Sequence, residues 1–245
     1  MSTITEGLVL RVTDTGESDR LVTLLTTEFG VIRAFANRAK KMKSNMHAAT
    51  EAFCYGEYSI YVGRDSYTIE SAQAKEVFFG LRQNIESLAL GQYFCSLAME
   101  FVPEGIPAPD TLKIILNSLA YLQNGRRTPD FLKAVTELKL LSIAGFAPDL
   151  TVCAGCGENP KGDVYFSTSQ GKFYCKKHTR NDMVITAGVL TAMRHIVANP
   201  VNRIYSFSVS PYDEKLLVKA CEDFLLKQTN KSFNALDFYK TVTAD

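Results

Sequence analysis

The chain has 245 residues, 46% of them hydrophobic and 22% charged, as in an ordinary globular protein with room for one large or two to three small domains. Its net charge of +1 excludes a strong global field, so affinity for nucleic acid would have to come from a local patch. No apolar run approaches the roughly 20 residues of a membrane span, and the first six residues lack the basic-then-apolar pattern of a signal peptide.

The first 75 or so residues alternate in the manner of strands. Residues 7–12, 20–25, 30–35, 55–62 and 67–70 are five candidates, with turn residues at 14–16 and 28–30. Five short strands with such turns suit a small closed barrel of the OB-fold kind. The third candidate runs into a basic stretch holding Arg33, Arg38, Lys40, Lys41 and Lys43, with no acid between Glu28 and Glu51. Residues 1–80 hold nine basic and ten acidic side chains, so this is a local cluster in a neutral segment. Most charge runs are simply solvated loops. This one begins on a barrel strand, where OB-folds bind nucleic acid, and lysines and arginines there would contact phosphates without reading sequence. Phe35, Tyr55, Tyr58, Tyr61 and Tyr67 offer ring faces nearby. Period-2 alternation assigns most of these to packing, so no single stacking residue is named.

After Gly80 the pattern turns helical. A helix over 81–101 stops at Pro103, and a second is capped by Asp110 and runs to 124–125. Thr128 caps a third, with Pro129 at its first position, that ends at Gly145. Lys139, Arg126 and Arg127 read as ordinary surface charges, or alternatively as the lining of an acid-binding face. Thr186 starts a helix ending before Pro200, Ser210 and Pro211 start another to about Lys227, and 232–239 forms a last short one. His195 reads as a helix-surface or satisfied residue rather than a base.

Between these helices lie two hooks, Cys153-x-x-Cys156 and Cys175-x-x-His178, with eighteen residues between them. Each hook brings two soft or borderline ligands to one small cation, and the pair has the spacing of a closed tetrahedral zinc site. Gly155 and Gly157 flank Cys156 and free the backbone to turn. Four ligands leave no open position, and the H-x-E with P-C-x-x-C signature of zinc deaminases is absent. The reading is therefore structural Zn(2+), a clamp worth on the order of 10 kcal/mol of folding free energy. Cys54, Cys95 and Cys221 stand in apolar surroundings and read as buried thiols of a reducing compartment. There is no P-loop, dinucleotide fingerprint, H-E-x-x-H or G-x-S-x-G motif, so no nucleotide cofactor and no catalytic residue is assigned.

Taken in order, residues 6–11, 16–25, 29–44, 53–58, 137–141, 145–149 and 153–157 resemble RecO, a family of bacterial recombination mediators and DNA-repair proteins. The resemblance covers nearly the whole chain. It implies an N-terminal OB-fold, a central helical domain and a zinc module. It also implies binding of single- and double-stranded DNA, annealing of complementary strands, and partnership with RecR. A further implication is help in loading RecA onto DNA coated by single-strand-binding protein, whose C-terminal tail some members bind. The family's basic OB surface maps onto Arg33, Arg38 and the lysines that follow. Metal-binding members often carry two C-x-x-C pairs, whereas His178 fills the fourth position here. Three thiolates and a histidine leave −1 rather than −2 on the bound complex.

The expectation is an α+β chain with an N-terminal OB-fold β-barrel, then an all-helical domain with an inserted zinc-binding module. The boundaries expected are 1–80 for the DNA-binding domain, 81–149 with 181–245 for the helical domain, and 150–180 for the zinc module. The function expected is a non-enzymatic DNA mediator, cytoplasmic and nucleoid-associated, with no membrane partner. The alternatives are a zinc-dependent nucleic-acid-processing enzyme and a protein-interaction scaffold without direct DNA binding.

Overall fold

The computed structural model describes residues 2–41, 46–159, 161–179 and 182–244. They fall into two compact units, residues 1–125 with 235–245, and residues 126–234. The class is α+β, with a sheet at the N-terminal end and helices dominating the rest.

The first unit is built on β1 (Ser2–Thr15), β2 (Asp19–Thr26), β3 (Gly30–Ala36), β4 (Cys54–Val62) and β5 (Tyr67–Val77). Each contains one of the segments expected from alternation. Their order is β1-β2-β3-β5-β4, and β4 pairs back onto β1, so the sheet closes on itself. All pairings are antiparallel except β3 with β5. Val9, Val22, Leu24, Ile32, Ala34, Tyr58, Ile60 and Ile69 fill the interior. Between β3 and β4 lies the short helix α1 (Met46–Ala49), and the Tyr58 hydroxyl donates to the Ala49 carbonyl at 2.8 Å.

Strict alternation fails along β1. Leu8, Val9 and Leu10 are all buried. The register slips between Val9 and Arg11, which leaves Leu10 as an extra residue in a bulge. The outward-facing leucines stay dry because α2 (Ile85–Phe101) and α3 (Pro109–Gln123) pack against this part of the sheet.

The helix expected over 81–101 is interrupted. A tight 3₁₀ turn covers Phe79–Gln83, and α2 starts only after Asn84, whose Oδ1 accepts from the N–H groups of Glu86 (2.8 Å) and Ser87 (3.3 Å). That cap satisfies two N–H groups the first turn would otherwise leave unpaired. Asp110 is not the cap of α3. Ala108 holds that position and Pro109 takes the first turn, where its fixed φ fits, so Asp110 complements the helix dipole from inside.

The link from α2 to α3 is anchored to the β2–β3 turn. The N–H of Gly105 donates to the Phe29 carbonyl (2.9 Å) and that of Ala108 to the Thr27 carbonyl (3.1 Å). Gly30, at φ 63°, allows this approach, since a Cβ there would lie 2.3 Å from the Pro103 oxygen.

The second unit holds α4 (Pro129–Leu141), β6 (Val164–Ser167), β7 (Lys172–Tyr174), β8 (Met183–Ile185), α5 (Ala187–Ala198) and α6 (Pro211–Thr229). The last helix, α7 (Asn234–Val242), returns chiefly to the first unit. Thr128, Thr186 and Ser210 each accept from the N–H three residues on, as N-caps do. Helix α4 ends at Leu141, earlier than expected, and the chain continues as a wide turn to Phe146 with Gly145 at φ 94°.

Packed between α4 and α6 is a buried ionic group. Lys133 Nζ lies 2.9 Å from Glu137 and 2.7 Å from Glu222. Lys139 is not a surface charge. It is buried, and its Nζ donates to the carbonyls of Val197 (3.1 Å) and Asn199 (2.8 Å) at the C-terminal end of α5. Arg127 donates to the Tyr205 carbonyl and lies over the Phe131 ring. Strands β7-β6-β8 form a small antiparallel sheet that carries the two hooks.

Candidate metal centre and nucleic-acid interface

The first hook leaves the wide turn after α4 and folds back on the β6–β7 turn. The Asp149 N–H donates to the Gly171 carbonyl at 2.7 Å, and the Ala154 N–H donates to the Phe173 carbonyl at 2.9 Å. The hook closes internally through Gly157 N–H to the Cys153 carbonyl (2.8 Å) and Cys153 N–H to the Glu158 carbonyl (2.8 Å). Cys175 follows β7 directly, and the His178 N–H returns to its carbonyl at 2.9 Å.

These turns bring four ligand atoms within 4.8 Å of one another, one each from Cys153, Cys156, Cys175 and His178. The Sγ atoms of Cys156 and Cys175 are 3.9 Å apart. The Nδ1 of His178 lies 3.9 Å from the Cys153 sulfur and 3.1 Å from that of Cys175. Tetrahedral ligands about 2.3 Å from one ion would stand about 3.8 Å apart. The donor set and its spacing therefore fit a tetrahedral ion of zinc's size, with Nδ1 as the histidine donor.

The electrostatics favour thiolate at the innermost ligand. Burial pushes the Cys153 thiol up, but N–H groups of Cys175, Gly155 and Cys156 outweigh it and bring its pKa down to about 6. The two bonds to its sulfur measure 3.2 Å from Cys175 and 3.4 Å from Gly155. Cys156 moves the other way. The Glu158 N–H lowers it, but burial and the neighbouring sulfurs of Cys153 and Cys175 prevail and raise it. Cys54, Cys95 and Cys221 are buried as expected, and burial alone raises Cys95 to about 12.

Two supports of this centre go beyond the local pattern, which marks Gly155 for backbone freedom and Arg194 not at all. Gly155 is needed for space: a Cβ there would sit 2.5 Å from Cγ and 2.6 Å from Cβ of His178. Arg194, from α5, donates to the carbonyls of Leu150 (2.6 Å) and Thr151 (2.9 Å) and to Asn159 Oδ1 (3.0 Å). It ties the first hook to the helix. His195, one residue on, faces the Arg203 carbonyl at 2.9 Å and packs on Phe207. It is a satisfied structural residue.

The basic stretch lies on β3 and the turn that follows. Arg33 and Arg38 are exposed, as is Lys41, and Lys40 is half-buried; Lys43 lies outside the described residues. The turn is held to the β1–β2 hairpin. Lys40 N–H donates to the Ser18 carbonyl (3.0 Å), and Arg38 N–H, at φ 57°, donates to Asp19 Oδ1 (2.7 Å). That N–H, with the Ser18 hydroxyl, holds the Asp19 carboxyl below its ordinary range. Lys40 is already paired, 3.2 Å from Asp14. Among the described residues, no ion pair engages Arg33, Arg38 or Lys41.

The register adds a cation that the stretch alone does not contain. Arg33 pairs with Thr23, and Thr23 pairs with Arg11 of β1. Paired residues share a face, so exposed Arg11 and Arg33 flank Thr23 on the outside of the closed sheet. The alternation in 7–12 would have turned Arg11 outward, but only the pairing places it beside Arg33. No helix of the described residues is long and apolar enough to cross a membrane.

Comparison with known proteins covers both units. Residues 1–78 match the family model "Recombination protein O N terminal", and residues 82–237 match "Recombination protein O C terminal". A protein named DNA repair protein RecO from Acetivibrio thermocellus is 32% identical over 241 residues, covering 97% of this chain and 96% of the relative. Its namesake from Dehalococcoides mccartyi (strain ATCC BAA-2266) is 29% identical over 239 residues, covering 95% and 94%. That from Alkaliphilus metalliredigens is 27% identical over 242 residues, covering 97% and 98%. With the matched segments running through both the closed sheet and the hooks, this chain belongs to the RecO family.

Proposed function

We propose that this protein acts in DNA repair as a recombination mediator that binds DNA, anneals complementary strands and, with RecR, helps load RecA onto DNA coated by single-strand-binding protein. The observation that carries the reading is the family match across both units, joined to exposed arginines on a closed sheet whose strand order suits an OB-fold barrel. Residues 1–80 would be the DNA-binding domain, 150–180 the metal module, and 81–149 with 181–245 the helical body. Partners would be single- and double-stranded DNA, RecR and the tail of single-strand-binding protein, met in the cytoplasm at the nucleoid.

The mechanism is electrostatic and non-enzymatic. Two DNA strands repel each other through their phosphates. Arg33, Arg38 and Lys41, with Arg11 beside them and Lys40 and Lys43 in the same stretch, would offset that repulsion and hold strands close enough to pair. Cys153, Cys156, Cys175 and His178 would hold structural zinc, which cross-links the two hooks when bound. Their full complement of ligands leaves no position for a substrate, which favours a fold clamp over a zinc enzyme.

The test is oligonucleotide binding and annealing titrated with salt, with and without RecR. Four or five phosphate contacts on a single strand, at about 0.7 each, give a log–log salt slope near −3. Charge reversal at Arg33 and Arg38 weakens binding to every sequence alike. Unchanged affinity in that variant would refute the assigned face, and no binding by the wild type at low salt would favour a protein scaffold.

A further inference from the structure

Beside the arginines, the outer face of the closed sheet carries a second ordered feature. Phe35 of β3 pairs with Thr68 of β5, and Thr68 pairs with Tyr61 of β4. The three side chains therefore share a face, with the backbones of Phe35 and Tyr61 about 10 Å apart across two strand spacings. Phe35 is 43% exposed and Tyr61 45% exposed, so both rings have area free for a ligand. The other aromatics of these strands are engaged. Tyr58 is fully buried, Tyr67 packs against Phe29 with centroids 6.0 Å apart, and Tyr55 is half-buried beside Glu6.

Two exposed rings alone would mean little, since isolated apolar side chains are common on surfaces. Their setting selects an occupant. Arg33 lies two residues before Phe35 on the same face, about 7 Å along the strand, and its row continues through Thr23 to Arg11. The cationic row crosses β3, β2 and β1 and the aromatic row β3, β5 and β4, so the two meet on β3, where Arg33 and Phe35 stand together, and continue in opposite directions around the closed sheet. Acids share this face, and exposed Glu70 stands within about one row of Thr68 and Tyr61. Glu70 lies near the Ser59 hydroxyl, Glu6 and Glu57 hold Lys75, and Asp19 is occupied by the Arg38 N–H. A flexible polyanion with flat apolar groups matches both rows, and single-stranded nucleic acid has that chemistry. A duplex offers phosphates to the arginines but keeps its base faces stacked inside.

We propose that Phe35 and Tyr61 are base-stacking residues, and that they make this face prefer unpaired strands over duplex while Arg33 and Arg11 hold phosphates. The inference rests on reading this face as the nucleic-acid interface.

The test uses the full-length protein and two fluorescent probes of equal length, a mixed-sequence single strand and its duplex, in matched salt. Phe35→Ala and Tyr61→Leu each lower single-strand affinity about tenfold, leave duplex affinity within about twofold, and leave the salt slope unchanged. Tyr61→Phe, which keeps the ring, retains wild-type affinity. A strand with abasic sites binds the wild type more weakly and loses nothing further in the Phe35→Ala variant. Equal losses on both probes, or no loss on either, would overturn the stacking role while Arg33→Glu still reports on the face. If the wild type binds neither probe, the underlying reading falls and this one with it. Circular dichroism and the unfolding midpoint of each variant establish that an affinity loss is not a loss of fold.

Discussion

Replacing Gly155 by alanine isolates one geometric requirement of the metal centre. The new Cβ would stand 2.5 Å from Cγ, 2.6 Å from Cβ and 2.9 Å from Cδ2 of His178. Rotating the imidazole does not relieve this, because the contact with the His178 Cβ lies close to the backbone. The second hook must therefore shift outward, and its N–H bond to the Cys175 carbonyl, 2.9 Å long, shifts with it. Structural zinc contributes about 10–16 kcal/mol through four ligands. One misplaced ligand then costs on the order of 3 kcal/mol, a loss of roughly a hundredfold in metal affinity. The assay is competition for zinc against a chromophoric chelator, with bound metal counted by elemental analysis. Gly162→Ala is the control. Gly162 has φ 96°, but its Cβ would meet no atom within 4 Å, so it carries backbone strain without touching a ligand. The expectation is weakened zinc binding for Gly155→Ala and near wild-type binding for Gly162→Ala. Equal zinc affinity in Gly155→Ala and wild type would refute the argument that empty space at 155 positions His178.

Lys133→Met should destabilise the protein by about 3–5 kcal/mol in urea unfolding, because it leaves Glu137 and Glu222 facing each other with their shared cation gone. In the wild type, burial lowers the Lys133 pKa but Glu137 and Glu222 outweigh it, so the net shift is upward. Its contribution is present below the unfolded lysine value near 10.4 and is lost as pH rises through the higher folded one. Unfolding midpoints should therefore fall on the alkaline side, and less so in the Lys133→Met variant. Gly30→Ala meets both a left-handed backbone and the Pro103 and Ile106 oxygens at 2.3 and 2.6 Å, so its thermal midpoint should drop by several degrees. Arg11→Ala, on the proposed interface, should reduce the single-strand salt slope by about 0.7. A variant that keeps the full slope would remove Arg11 from the phosphate contacts.

What the sequence disclosed here follows from how local each feature is. Strands with period-2 alternation and helices opened by Thr128, Thr186 or Ser210 depend on neighbours a few residues away, and they appear where the pattern places them. The two hooks are local turns, so the four side chains that could hold a metal ion are readable as well, and the structure brings their donor atoms within 4.8 Å of one another. Features set by distant segments were not readable. Lys139 looks like any helix-surface lysine until α5 ends against it. The bulge between Val9 and Arg11 reverses the expected phase of β1, because helices later in the chain allow both faces to be buried there.

The same distinction bears on the interface. The run from Arg33 to Lys43 is conspicuous because its charges are adjacent in sequence, yet adjacency is a poor guide to what a strand surface presents. On that surface neighbours along one strand stand about 7 Å apart at every second residue, and neighbours across strands about 5 Å apart. Arg11 is therefore nearer in kind to Arg33 than Lys40 is, since Lys40 sits on a turn and is neutralised by Asp14. Phe35 lies inside the basic run, but its place in an aromatic row depends on Thr68 and Tyr61, more than twenty-five residues downstream. A ligand that touches this face meets the register, not the run. Substitutions chosen by register, at Arg11, Arg33, Phe35 and Tyr61, should accordingly alter binding more than those chosen by the charge run at Lys40, and a larger loss from Lys40→Ala than from Arg11→Ala would reverse that ranking.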